Sequence, residues 1–304
     1  MPKWTTADIP DQHGRVHIVT GGNGGLGAAI ARALHDAGAQ VILACRNMTK
    51  AERVARELGT RAEARPLDLA DLASVRAFAE TVDHVDVLVN NAGVMAIPFE
   101  RTVDGFEKQL GTNYLGHFAL TGLLLDRVRD RVVSMSSHTH LIAGLDVDDL
   151  DWQRRGYRRY GAYAQSKLAN LLFAYELQRR LDAAGAPVLS VAAHPGYAET
   201  DIVTRSGTPL RFVTTPLHYL TTALPWLNPG QSPEMGALPL LFAAAAEVEP
   251  GGYYGPNRLF GLRGYPMRTS SSHASYDREL AQRLWERSEK LTDVRFDFAH
   301  FGPR

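Results

Sequence analysis

An α/β fold, one doubly wound parallel sheet with helices on both faces, is what this sequence predicts, and three observations predict it. Short apolar, β-branched runs alternate with stretches of helical periodicity from residue 15 to about residue 192. A glycine-rich turn, Gly21-Gly22-Asn23-Gly24-Gly25-Leu26-Gly27, joins the first run to the first helix. No linker, internal repeat or low-complexity segment divides the 304 residues, so 1–304 is expected to form a single domain. Alternation of this kind uses crossover helices that cover both faces of a sheet, and it places ligands at the carboxyl ends of the strands.

Taken in order, Arg15 to Thr20 is the first strand, and Leu26, Ile30, Ala33 and Leu34 then recur at helix spacing up to the stop at Gly38. Val41 to Ala44 reads as a buried strand and 49–58 as a helix. A strand at 62–67, a helix at 71–82, the strand Val85 to Val89, a long helix within about 103–128 and the strand Arg131 to Met135 continue the pattern. The helix around Tyr163 and the strand Val188 to Ala192 complete it.

After Pro195 the periodicity fails, and the Thr- and Pro-rich stretch of about 204–231 is expected to form a substrate flap. Its apolar residues Leu210, Phe212, Leu217 and Tyr219 suggest a hydrophobic substrate. Ser232-Pro233-Glu234 offers a capping hydroxyl, a first-turn proline and an acid, so a helix begins there. Pro239 is expected to distort or shorten it. The C-terminal part, 250–304, reads as loops with one short strand and a last helix from about Tyr276 to Leu291.

Composition bounds the function. Lys+Arg and Asp+Glu both total 33, so no global field favours nucleic acid or an acidic membrane, and the expected partner is a small molecule. Cys45 is the sole cysteine, which excludes an intrachain disulfide and a thiolate metal cluster and fits a reducing, cytoplasmic location. The stretch Met1 to Asp8 lacks a signal-peptide core, and the longest apolar runs, such as Gly236 to Ala246, are too short to span a bilayer.

The chemistry concentrates at strand ends. Gly21, Gly25 and Gly27 lie between strand and helix, where backbone can approach a pyrophosphate and a helix N-terminus faces its charge. Their spacing differs from the usual dinucleotide fingerprint, whose three glycines are two and then three apart. Ala44-Cys45-Arg46-Asn47 ends the second strand without an acid for a ribose 2′-hydroxyl. Arg46, with Lys50 as a second candidate, instead offers charge to a 2′-phosphate, which favours NADP(H) over NAD(H).

Asp68 at the end of the third strand is placed to accept from an adenine amino group, and the small residues of Asn90-Asn91-Ala92-Gly93 allow backbone to approach a ribose. Ser136 and Ser137 end the fifth strand, and a hydroxyl there can hold a carbonyl oxygen. No Gly-x-Ser-x-Gly elbow surrounds them to make a nucleophile. His138, His140 and His194 have no accompanying acid or cysteine pattern, so no metal is expected.

Tyr163 and Lys167 are one helical turn apart on one face. A free phenol titrates near pH 10, and an ammonium roughly 4 Å away, at an effective dielectric of about 20, contributes about 4 kcal/mol, roughly three pK units. The pair would make a usable general acid and base. Tyr160 shares that face but lies about 10 Å along the axis from Lys167.

With these residues in hand, the chain resembles the short-chain dehydrogenase/reductase family over almost its whole length. The motifs that carry the resemblance are Thr20-Gly21-x-x-x-Gly25-x-Gly27, Asp68-Leu69, Asn90-Asn91-Ala92-Gly93, Asn113 in Asn-Tyr-Leu-Gly-His-Phe, Ser137, Tyr163-x-x-x-Lys167 and Pro195-Gly196. Ala44-Cys45-Arg46, Ser166 to Asn170, His194-Pro195-Gly196 and Leu284 to Glu289 look like the retinol dehydrogenase and protochlorophyllide reductase-like branch.

The resemblance implies a Rossmann-type fold and hydride transfer between NADP(H) and a carbonyl or alcohol. It implies that Tyr163 protonates the carbonyl oxygen, Ser137 orients it, and Lys167 holds the nicotinamide ribose and lowers the Tyr163 pKa. Asn113 would bind a water that links Lys167 to solvent. The cofactor would rest on Gly21, Asn23, Gly24, Gly25, Leu26, Gly27, Arg46, Asp68, Leu69, Asn91, Ala92, Gly93, Tyr163, Lys167, Pro195, Gly196 and Thr200.

Two departures stand out. Gly24 lacks the hydroxyl that the family often carries in the turn, and Ser137 to Tyr163 is longer than the usual thirteen, so 138–160 is an enlarged loop. Family members commonly dimerise through the Tyr163 helix and its neighbour, which makes a homo-oligomer an expectation. A sugar epimerase or dehydratase also uses Tyr-x-x-x-Lys, but Asn90 to Gly93 and Asn113 argue against it. An NADP(H)-sensing regulator would need no such set.

Overall fold

The structure, a computed structural model, describes residues 3–198 and 230–301. Strands β1 (Val16–Thr20), β2 (Gln40–Cys45), β3 (Ala62–Pro66), β4 (Val85–Asn90), β5 (Val128–Met135), β6 (Leu189–Ala193), β7 (Tyr253–Arg258) and β8 (Arg263–Arg268) form one sheet. Its order is β3-β2-β1-β4-β5-β6-β7-β8. The first seven strands run parallel, and β8 returns antiparallel to β7. Ile18 pairs with both Ile42 and Leu88, and Val133 with both Val89 and Val191, so the apolar runs meet in the middle of the sheet.

The chain winds outward in both directions from β1 and β4. Helices α1 (Gly25–Asp36), α2 (Met48–Leu58) and α7 (Pro233–Ala245) pack with the core that contains Val19, Leu43 and Val191. On the opposite face lie α3 (Leu72–Glu80), the short α4 (Lys108–Leu110), α5 (Gly116–Leu124), α6 (Arg159–Ala183) and α8 (Arg278–Thr292), around Leu88, Phe118 and Leu168. The topological switch point between β1 and β4 therefore opens at the carboxyl edge, the position where doubly wound sheets bind ligands.

Several boundaries differ from the sequence expectation, each for a physical reason. The long helix expected within 103–128 begins only at Lys108 and is interrupted by a π-helical turn, Gly111–Leu115, that carries Asn113. Helix α7 passes through the buried Pro239 and continues to Ala245, because its wholly apolar surroundings hold it together despite the missing N–H. Residues 250–272 hold two strands where one was expected, since backbone pairing on β6 organises a Gly-, Pro- and Tyr-rich stretch. Thr200 and residues 204–229 of the expected flap lie outside the described residues. At the far end of that stretch, Gln231 bridges to Ala198. No helix among the described residues is long and apolar enough to cross a membrane.

The faces of α5 and α6, which the resemblance assigned to dimer contacts, carry α8 and the segment after it. Trp285 is buried, stacked 5.7 Å from Phe173, edge-on to Phe118 at 5.2 Å and under the Arg180 guanidinium at 4.4 Å. Replacing Trp285 by Ala opens a cavity in this cluster and is expected to cost about 3–5 kcal/mol in urea unfolding. A loss below about 1 kcal/mol would show that α8 contributes little to the core.

Candidate active site

The carboxyl ends of β1, β2, β3 and β4 surround a cleft of about 420 Å³. Gly21, Asn23, Gly24, Gly25, Leu26 and Gly27 line one side. Arg46, Asp68 and Leu69 line a second, and Asn91, Ala92 and Gly93 a third. The turn must be glycine at Gly27, where a Cβ would sit 2.2 Å from the Gly21 carbonyl oxygen. Gly25 adopts φ 51, a left-handed conformation that suits glycine. Gly24 is extended and a Cβ there would meet nothing within 4 Å, so the position has room for the hydroxyl residue seen elsewhere in the family.

Arg46 is well exposed at the mouth of this cleft, with Nη1 4.0 Å from Asp68 Oδ2. The other Asp68 oxygen accepts from the Ala70 N–H at 2.9 Å. Asn47 caps α2 by accepting from the Lys50 N–H at 3.0 Å, and both side chains line the cleft. Cys45 lines it too, but burial pushes its thiol up to about 11, so it stays protonated. Ala44, Leu67, Val94, Thr112 and Met135 complete the lining. Sequence reasoning had not singled out these last three, although each adjoins a residue that it had, at a strand end or in the Asn113 helix.

Lys167 adjoins the cleft through Met135, whose carbonyl accepts from Nζ at 3.1 Å and from Asn170 Nδ2 at 2.9 Å. Lys167 is buried, and burial pushes its ammonium down to about 8. Its Nζ lies 5.7 Å from the centre of the Tyr163 ring. Gly93 leaves room for this arrangement, since a Cβ there would be 3.0 Å from Asn113 Oδ1 and 3.7 Å from Lys167 Nζ.

Tyr163 departs from the expectation of a lowered pKa. Loss of solvent around the half-buried side chain pushes it up to about 12, while a hydrogen bond with the Ser137 hydroxyl acts in the opposite direction. A nearby ammonium would lower the phenol, but desolvation dominates here, and the group that opposes it is Ser137. Ser137 also caps the short helical turn His138–Ile142, its hydroxyl accepting from the Thr139 N–H and its carbonyl from His140 Nδ1. Ser136 turns away, donating to the Lys167 carbonyl at 2.9 Å. Tyr160 is exposed.

Asn113 is held on every side. Its Oδ1 accepts from the Val94 N–H at 2.8 Å, and its Nδ2 donates to the Val94 carbonyl and to Ser166 Oγ, both at 2.9 Å. The Asn113 carbonyl takes a hydrogen bond from the His117 ring at 3.0 Å. His117, quoted in the motif but given no role from sequence, is thus part of the site. Its signal was its position one turn after Asn113.

The enlarged loop is stapled to the helix that leads into Asn113. Tyr157 Oη donates to Glu107 at 2.9 Å and accepts from Gln109 Nε2 at 2.8 Å. Buried Glu107 also caps α4 through the Gln109 and Leu110 N–H groups. His138 and His194 meet edge-on at 4.5 Å, and burial lowers both. Among the described residues no three His, Cys, Asp or Glu are grouped as metal ligands. Pro195 and Gly196 are not among the residues that line the cleft; Gly196 packs against the β7–β8 hairpin, with no space for a side chain beside the Leu262 carbonyl.

Known proteins share this architecture. Residues 15–210 match the family model for short chain dehydrogenase. Retinol dehydrogenase 13 of Homo sapiens is 40% identical over 303 residues, covering 95% of this chain and 86% of its own length. Polyprenol dehydrogenase of Mus musculus is 42% identical over 305 residues, covering 93% and 85%. A crystal structure of a protein from Mycobacterium Paratuberculosis is 44% identical, covers 97% of this chain and 100% of its own, and superposes with a TM-score of 0.84. With the family model spanning well over half of the sequence and the relatives nearly all of it, the chain belongs to the short-chain dehydrogenase family of oxidoreductases.

Proposed function

We propose that this protein is an NADP(H)-dependent oxidoreductase that interconverts an apolar carbonyl compound and its alcohol. The observation that carries the reading is the buried Lys167 ammonium one turn from Tyr163, with Ser137 acting on the Tyr163 phenol beside a nucleotide-sized cleft. A cation without a carboxylate partner is costly to bury, and such groups cluster at functional sites.

The cleft fits the cofactor. Gly27 and Gly25 flatten the turn below the N-terminus of α1, whose free N–H groups suit a pyrophosphate. Arg46 and Lys50 stand where the ribose end would lie, and the end of β2 carries no acid to repel a 2′-phosphate. When bound, the nicotinamide would give or take the hydride. Tyr163 would pass the proton to or from the substrate oxygen, Ser137 would donate a hydrogen bond to that oxygen, and Lys167 would hold positive charge beneath them. Asn113 would keep Lys167 and the Gly93 loop in register.

An apolar substrate is supported by the rim. Gly261 lies against His138, which brings the exposed Leu259 and Phe260 beside the Ser137 turn with its exposed Leu141 and Ile142. Relatives named for retinol and polyprenol point the same way.

Three outcomes test the reading against a panel of apolar aldehydes and ketones. Arg46→Ala should weaken the preference for NADPH over NADH by about tenfold or more, as expected for a lost charge-assisted bond to phosphate. An unchanged ratio would remove the basis for the NADP(H) assignment. Tyr163→Phe should slow reduction by about 10²- to 10⁴-fold with cofactor binding retained, and near-normal turnover would contradict the acid assigned here. In the wild-type enzyme Tyr163 stays protonated up to about 12, so reduction should hold level from neutral pH and fall only above about 8, where Lys167 loses its proton. A rate that instead rises through pH 8–10 would rule out that role for Lys167.

A further inference from the structure

We infer that His117 is a positioning residue, a neutral imidazole that ties the loop beneath the proposed cofactor to the Asn113 carbonyl. Three elements meet at its ring. Nδ1 lies 3.0 Å from the Asn113 carbonyl oxygen, and Nε2 lies 2.9 Å from Thr20 Oγ1. Thr20 Oγ1 in turn lies 2.9 Å from the backbone nitrogens of both Asn91 and Ala92. All of these groups except partly buried Ala92 are buried.

The chemistry of the partners sets every proton. A carbonyl oxygen only accepts, so Nδ1 carries the ring hydrogen and Nε2 is left as an acceptor. The Thr20 hydroxyl must then donate to Nε2, in preference to the Val89 carbonyl at 3.3 Å. With its own proton committed, that hydroxyl accepts the two backbone N–H groups of the Asn91 loop. The chain of bonds runs in one direction, from Asn91 and Ala92 through Thr20 and His117 to Asn113.

Burial, with Lys167 nearby, holds the imidazole down to about 4, so it stays neutral across the working range. A second proton on the ring would also break the Thr20 bond. No side chain that merely fills the space can make both links. The Asn91 loop lines the cleft, while Asn113 reaches Ser166 and the Gly93 loop beside Lys167, so His117 couples cofactor seating to the proton-handling groups.

This inference rests on the oxidoreductase reading, and the test separates the two. NADPH affinity would be measured by direct titration of cofactor fluorescence, and turnover with a substrate accepted by the wild type. His117→Phe, similar in shape but without hydrogen bonds, should raise the NADPH dissociation constant and lower kcat, each by about tenfold or more, with substrate KM little changed. His117→Gln, which restores a donor and an acceptor, should recover part of both.

Thr20→Val removes the other end of the same chain and should reproduce the phenotype if His117→Phe does not fold. A folded His117→Phe with wild-type affinity and kcat would overturn the inference, as would a Gln variant no better than Phe. If the wild type itself binds NADPH yet turns over no carbonyl substrate, the oxidoreductase reading fails instead. Normal NADPH affinity in His117→Phe and Thr20→Val would then overturn the positioning role as well.

Discussion

Lys167 is a cation buried in an α/β core, and among the described residues no carboxylate pairs with it. Removing an ammonium from water costs several kcal/mol even after relaxation. The surrounding structure offsets that cost with oriented dipoles. The Met135 carbonyl at the end of β5 accepts from Nζ, and Gly93 is small enough to leave the space open. The same strand end supplies Ser137, the same helix supplies Tyr163, and the π-helical turn brings Asn113 to the opposite wall. The fold can be understood as the support that keeps this one charge in place.

Burial also explains why the two partners are tuned as they are. Desolvation acts on both, lowering Lys167 and raising Tyr163, so neither sits at its solution value. In the protein alone the phenol is a firmly held acid. The Ser137 hydroxyl favours the phenolate, which ties the substrate-orienting group to the acid itself.

Much of this was legible in the residues. The strand runs around Ile18, Ile42, Leu88 and Val133 show their burial as unbroken apolar stretches, and the turn at Gly21 to Gly27 announces its position between strand and helix. Tyr163 and Lys167 share a face because helical spacing requires it. Other features have no signature along the chain. The π-helical turn at Asn113 changes the hydrogen-bond register by one residue without altering the apolar pattern. The Tyr163 pKa depends on how much water the folded site excludes, and the partner of the second His117 nitrogen, Thr20, is 97 residues away. Of strands β7 and β8 composition suggested only one; β7 forms by pairing on β6, and β8 by pairing on β7.

The most direct test of the account follows the hydride itself. The enzyme would be given NADPH deuterated at the transferable position of the nicotinamide ring, together with an apolar aldehyde or ketone, and the product alcohol examined by mass spectrometry. The account predicts one deuterium on the carbinol carbon of the product. Product alcohol that carries no deuterium, or tight NADPH binding with no alcohol formed from any member of the panel, would contradict it.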